Sequence, residues 1–331
     1  MGTMEPEERS GSARLEETIL HGEAVYDADQ VSAQTGIPLD FAKRLWRALG
    51  FPERNTEIAF NDADVEALRS VALGVDVGTI DADLAVTLTR ALGSTMARLA
   101  DWQVATLMSR LEEFERTDPA GESSRWDAAL QLVQRLNPPF ELLLVYAWRR
   151  HLAAAASRIE ALAANEADLQ TVELSVGFAD IVAYTELSNE LGAIRTGELV
   201  ELFESRCHDV VASADGRLIK SIGDSVLFVN SDPVRAIETA EGIISVIGRD
   251  ARMPDVRVGV ASGAVVMRLG DVFGAPVNLA ARLTTVARRN RLIIDDATAA
   301  KLPDELFETR RLTERAVRGF GLVEPVVVRR R

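Results

Sequence analysis

Apolar residues recur every three or four positions from about Tyr26 to Leu169, as in Val65-Leu68-Val71, Leu84-Leu88-Leu92, Leu107-Leu111-Phe114 and Leu130-Val133-Leu136. That spacing puts each group on one helical face and predicts helices almost throughout this half. After Thr171 the period changes. Short β-branched runs at Thr171–Ile181, Arg217–Ile222, Ser225–Asn230, Val256–Arg268, Arg291–Asp295 and Val323–Arg329 are separated by helical stretches at Glu186–Ala212 and Asp232–Gly248. The pattern predicts an all-α half followed by an α+β unit. We divide the chain into a mobile tail over 1–25, a helical domain over 26–150, a helical linker over 151–170 and an α+β domain over 171–331. The tail opens with polar and small residues, Met1 to Ala13, that have nothing to pack. In the linker, Leu152, Ala155, Ile159, Leu162 and Leu169 form a heptad stripe broken by Glu166. The stripe suits either a dimeric helical seam or one amphipathic helix resting on its own domain.

Composition narrows the class. The 331 residues are 47% hydrophobic, enough for two cores of ordinary size. The net charge of −14 argues against a broad electrostatic grip on nucleic acid or anionic lipid. Cys207 is the single cysteine, which leaves no intrachain disulfide and fits a reducing compartment. The longest apolar run, Leu142 to Trp148, is far shorter than the roughly 20 residues a membrane-spanning helix needs. With no signal-peptide pattern and no transmembrane segment, a cytoplasmic protein is expected.

The segment from Gln30 to Ile37, followed by Phe41 to Phe51, fits a helix, a glycine turn and a second helix. It is similar to the helix-turn-helix of MerR-type regulators, with Lys43, Arg44 and Arg47 on the second helix. Residues 1–160 nevertheless carry 16 basic and 26 acidic side chains. That balance weakens the phosphate attraction on which DNA binding depends, so DNA binding is disfavoured.

The chemistry gathers in the second half. The first strand ends in Phe178-Ala179-Asp180-Ile181, and the hairpin Ile219-Lys220-Ser221-Ile222-Gly223-Asp224-Ser225-Val226 has a second aspartate at its turn. If these strands are neighbours, both carboxylates meet at one sheet edge, where hard oxygens hold magnesium or manganese beside a polyphosphate. Taken singly, Asp224 could be a turn residue and Asp180 a helix cap. Lys220, between Ile219 and Ile222, must either snorkel or meet an acceptor. Farther on, Gly270-Asp271-Val272-Phe273-Gly274 leads a helix on which Asn278 and Arg282 share a face.

With these six residues at these spacings, the chain from Thr171 to about Arg329 resembles the class III adenylate cyclases. The helical half, through Trp46–Phe51 and Phe60–Val65, resembles the regulatory domains found beside actinobacterial members. The resemblance implies a ferredoxin-like catalytic domain preceded by an all-α regulatory domain, working as a head-to-tail homodimer with its sites at the interface. It implies ATP as substrate, 3′,5′-cyclic AMP and pyrophosphate as products, and two divalent cations per site, Mg²⁺ or Mn²⁺. Asp180 and Asp224, with the Ile181 backbone carbonyl, would hold the metals. Lys220 and Asp271 would read adenine, Asn278 would position the ribose, and Arg282 would stabilise charge at the reacting phosphate. The loop of Val182, Ala183, Tyr184 and Thr185 and the basic Arg318 would meet the other phosphates. His151, at the head of the linker, would be a regulatory residue if the helical half responds to acidity. A fatty-acid ligand would use Leu142 to Trp148, which core packing explains equally well.

The adenine assignment has a physical basis: aspartate accepts from the exocyclic amine and lysine donates to a ring nitrogen. Relatives that use guanine typically carry Glu and Cys at those two places. Ala183 stands where glycine is usual, and Arg318 where a lysine is usual. The general base stays open. A diguanylate cyclase would need a Gly-Gly-Asp/Glu-Glu-Phe hairpin, which is absent from this sequence. A catalytically dead nucleotide sensor usually lacks a metal aspartate, and both are present.

Overall fold

The computed structural model describes residues 11–52, 57–117, 125–163, 171–268 and 270–331. The chain divides into two units, Met1–Ala153 and Ala154–Arg331. The first holds α1 (Gly11–Ile19), α2 (Ala28–Thr35), α3 (Leu39–Leu49), α4 (Asp62–Asp76) and α5 (Ala82–Thr117), and α6 (Arg125–Ala163) runs from it across the boundary. None of the helices, searched over the described residues, is long and apolar enough to cross a membrane.

A capping box between Asp27 and Gln30 opens α2, and Gly36 closes it at φ 72°, a left-handed conformation that glycine adopts without steric cost. Gly50 does the same for α3. The two helices pack through Val31, Ala42, Leu45 and Trp46, with Phe60 stacked on Trp46 at 4.4 Å between ring centroids. α2, the Gly36 turn and α3 follow one another, with Arg44 and Arg47 exposed on α3. Arg44 pairs with Asp83 at 2.8 Å, and Arg47 Nε donates to the Lys43 carbonyl.

The tail expected over 1–25 is corrected: it is helical over Gly11–Ile19. Tertiary contacts order it where local pattern gave no reason to. A side chain at Gly11 would collide with the Trp126 ring, Arg14 pairs with Asp127 at 3.5 Å, and the Asn61 amide donates to the Leu20 and Gly22 carbonyls. Residues 1–10 of that tail lie outside the described residues, as do the linker residues 164–170 with Leu169 of the heptad stripe. On α6, Leu142, Tyr146 and Trp148 are exposed, so core packing does not account for the run.

The second unit is built on β1 (Thr171–Ile181), β2 (Arg217–Ile222), β3 (Ser225–Asn230), β4 (Val256–Arg268), β5 (Asp271–Phe273), β6 (Arg291–Ile294), β7 (Phe307–Arg311) and β10 (Val326–Arg330). They form one sheet in the order β2-β3-β1-β4-β6-β10-β7, with β5 paired to β4. The first four strands pair antiparallel in the order β2-β3-β1-β4, which is the ferredoxin-like arrangement. A separate ribbon joins β8 (Arg315–Val317) to β9 (Gly321–Val323).

Strand alternation divides the core between two faces. Val226 and Phe228 pack with Phe203 and Cys207 of α8 (Ala193–Ser213) and Ile237 and Ile243 of α9 (Pro233–Arg249). Leu227 and Val229 pack with Ala280 and Leu283 of α10 (Ala275–Val286). Burial, and next the charge of Glu204, push the Cys207 thiol well above its ordinary range, which makes it a packing residue. The single helix expected over Glu186–Ala212 is two, α7 (Tyr184–Leu191) and α8, separated by Gly192 at φ 75°. A short α11 (Asp296–Ala299) follows β6.

Candidate active site

Register decides what surrounds the first aspartate. Asp180 stands opposite Ser225 on β3 and opposite Arg257 on β4. The Ser225 hydroxyl donates to Asp180 Oδ1 at 2.5 Å, and Arg257 places Nε at 2.7 Å and Nη2 at 2.6 Å from Oδ2. Asp224 follows Gly223, at φ 60°, in the β2–β3 turn, and its carbonyl accepts from the Ile181 N–H at 3.0 Å. Both aspartates therefore sit at neighbouring strand ends. Burial and then the negative charge of Asp180 push the Asp224 carboxyl above its usual range, against the pull of a backbone hydrogen bond and of Arg257. Two partly buried carboxylates that repel each other fit a divalent cation with a preference for oxygen ligands. Among the described residues no third acidic or histidine side chain gathers with them.

The loop after Asp180 differs from the expected cradle in one respect. The Val182 N–H already donates to the Asp255 carbonyl at 2.9 Å, so it has no proton to offer a phosphate. Ile181 is 1% exposed, its side chain in the core. Ala183 takes the left-handed conformation at φ 57° and ψ 33°, which costs an L-residue about 1–2 kcal/mol and which glycine adopts freely. Tyr184 and Thr185 open α7, where first-turn N–H groups have no intrahelical acceptor. The Tyr184 ring itself packs on the core.

Lys220 and Asp271 come together directly, with Nζ donating to Oδ2 at 2.5 Å. A bulge makes this possible. Leu218 opposes Phe228, so a regular ladder would set Ile219 opposite Leu227, but Lys220 takes that place. Asp271 opens β5 opposite Arg268, at the far end of β4 from Arg257. Burial would raise its carboxyl, yet the hydrogen bonds from Lys220 and the Val272 N–H, with the lysine's charge, bring it below the usual range.

Asn278 and Arg282 both lie on the exposed face of α10, opposite the buried Ala280, Leu283 and Thr284. Gly259 lets that helix rest directly on β4. A Cβ there would lie 2.4 Å from the Thr284 nitrogen and 2.6 Å from the Ala280 carbonyl oxygen. Arg318 is in the turn of the β8–β9 ribbon, outside the main sheet. His151 is exposed on α6, directly after Arg149 and Arg150.

Two residues at the site escaped the sequence reading, Ser225 and Arg257. Arg257 left a signal: an arginine inside the apolar run Val256-Arg257-Val258 needs an anion as much as Lys220 does. Ser225 left none.

Residues 169–329 match the family described as adenylate and guanylate cyclase catalytic domain, and residues 14–147 match the adenylate cyclase regulatory domain. A protein of Streptomyces coelicolor named adenylate cyclase is 36% identical, over 99% of this chain and 92% of its own length. One of Streptomyces griseus with the same name is 35% identical, over 99% and 91%. A Mycobacterium tuberculosis protein named pH-sensitive adenylate cyclase is 28% identical, over 84% of this chain and 70% of its own.

Proposed function

Because the chain belongs to the adenylate cyclase family, we propose that it converts ATP to 3′,5′-cyclic AMP and pyrophosphate at a site shared by two copies of its C-terminal unit. The observation that carries this reading is that the candidate residues pair in two separate groups. Asp180 is held by Ser225 and Arg257, with Asp224 next to it, while Lys220 is joined to Asp271. A second copy running head to tail would bring the carboxylates of one chain to the Lys220–Asp271 pair of the other. Ile222 and Phe273, each about half exposed, are apolar side chains that such a partner would cover.

Asp180 and Asp224, with the Ile181 carbonyl, would hold Mg²⁺ or Mn²⁺, two ions per site. When bound, such ions stabilise charge on the attacking and leaving oxygens of the substrate. The chain's own residues do the rest. Asp271 accepts from the adenine amine and Lys220 donates to a ring nitrogen, exchanging their mutual hydrogen bond for two to the base. Asn278 orients the ribose so that its 3′-hydroxyl faces the α-phosphorus. A 3′-oxygen–phosphorus bond forms, the bond to the β-phosphate oxygen breaks, and the 3′-hydroxyl proton is lost. Arg282 meets the charge that grows on the α-phosphoryl oxygens. The first-turn amides of Tyr184 and Thr185, beside Ala183, and the Arg318 guanidinium would take the outer phosphates.

The helical unit would regulate this activity. Acid sensitivity belongs by name to the mycobacterial relative. In this chain a proton would act at His151, and a fatty acid would have the exposed run around Leu142 and Trp148 to bind.

Base choice tests the reading. With equal ATP and GTP and excess Mn²⁺, the purified full-length protein should form cyclic AMP over cyclic GMP by a hundredfold or more, on the order expected when mismatched buried polar groups are left unpaired. Comparable yields would remove Lys220 and Asp271 from base recognition.

A further inference from the structure

Three hydrogen bonds hold the Asp180 carboxylate. Oδ1 accepts from Ser225, and Oδ2 accepts from both Nε and Nη2 of Arg257. The third guanidinium nitrogen, Nη1, reaches the Thr285 carbonyl at 3.4 Å, in the last turn of α10. The pair is largely enclosed, with the Asp180 side chain 13% exposed and that of Arg257 29%. At that burial the attraction is screened less than at a surface. The guanidinium's charge is also felt by Asp224, whose carboxyl it pulls down.

A divalent cation held between Asp180 and Asp224 would compete with this arrangement. An ion on Oδ2 would share that oxygen with the guanidinium, and one on Oδ1 would face it across the same carboxylate; two positive charges that close repel strongly in a partly buried site. The Ser225 hydroxyl is neutral and can remain on Oδ1. We propose that Arg257 is the resident counter-ion of Asp180, and that a cation enters the site only by displacing it. Metal loading and release of the guanidinium are then one exchange. The Thr285 carbonyl keeps the displaced arginine beside α10, the helix that carries Arg282. A nucleotide triphosphate gives it an anion to move to, so nucleotide and cation bind with positive coupling. This inference rests on the reading of Asp180 and Asp224 as cation ligands.

The test is Mn²⁺ binding to full-length protein without nucleotide, followed by the resonance of the free ion, counting only the site that Asp180→Asn removes. Arg257→Gln should bind Mn²⁺ there at least about tenfold more tightly than wild type. Adding a non-hydrolysable ATP analogue should tighten wild type more than the variant. Arg257→Lys keeps the charge but cannot fork onto Oδ2. It should show a smaller gain, and it replaces the glutamine variant if that one fails to fold. Affinity that is unchanged or weaker in the folded variant, or Mn²⁺ undetected in both proteins, overturns the exchange. An isotherm that Asp180→Asn and Asp224→Asn both leave untouched overturns instead the underlying reading of the two aspartates.

Discussion

Asp224→Ala chains and Lys220→Ala chains, each nearly inactive alone, should recover about a quarter of wild-type cyclase activity when mixed in equal amounts and allowed to exchange, the statistical yield for a two-fold dimer with two sites. The two residues are close in sequence but belong to different half-sites. Lys220 is tied to Asp271, whose partner Arg268 ends β4, whereas the Asp224 carbonyl accepts from the Ile181 N–H beside Asp180. In a mixed dimer, one site collects both substitutions and the other collects none. Half of the dimers are mixed at random assortment, and each has one intact site. The measurement is cyclic AMP formation after dissociation and reassociation, with mixed dimers captured through two different affinity tags. Captured mixed dimers without activity would rule out a shared site.

Replacing Arg282 with alanine should lower kcat by roughly a hundredfold or more, the cost of removing one donor aimed at developing transition-state charge. The residue stands on the exposed face of α10, and its removal leaves the packed face of Ala280, Leu283 and Thr284 intact. Stability should therefore change little. Because the interaction strengthens only as charge builds, KM for ATP should move far less than kcat. Lysine at this position restores the charge without the planar fork and should recover only part of the loss. Steady-state rates with matched melting curves decide the matter. A wild-type kcat in Arg282→Ala would take the residue out of the reaction.

The strands β1 to β4 were legible from the chain alone, because short β-branched runs mark them and Gly223-Asp224 marks the hairpin between β2 and β3. The short or polar strands were not. Phe307–Arg311 contains one apolar residue, and β5, β8 and β9 are three residues each, so their existence depends on the strands they pair with. The helix α1 likewise owes its order to Trp126, Asp127 and Asn61, none of them near it in sequence. At the site, the six motif residues could be read because their chemistry is unusual for their local setting. Arg257 and Ser225 acquire meaning only when β4 and β3 are laid against β1 in a fixed register, which a single strand does not encode. The bulge that sets Lys220 opposite Leu227 is of the same kind. So is the Val182 amide, committed to an Asp255 carbonyl that lies beyond three intervening helices.

The most direct test of the account is the reaction itself. Purified full-length protein, given ATP and Mn²⁺, should release cyclic AMP and pyrophosphate in equal amounts, and Asp180→Asn protein of unchanged melting temperature should release neither. No product from folded wild-type dimer, or equal product from the Asp180→Asn protein, would contradict it.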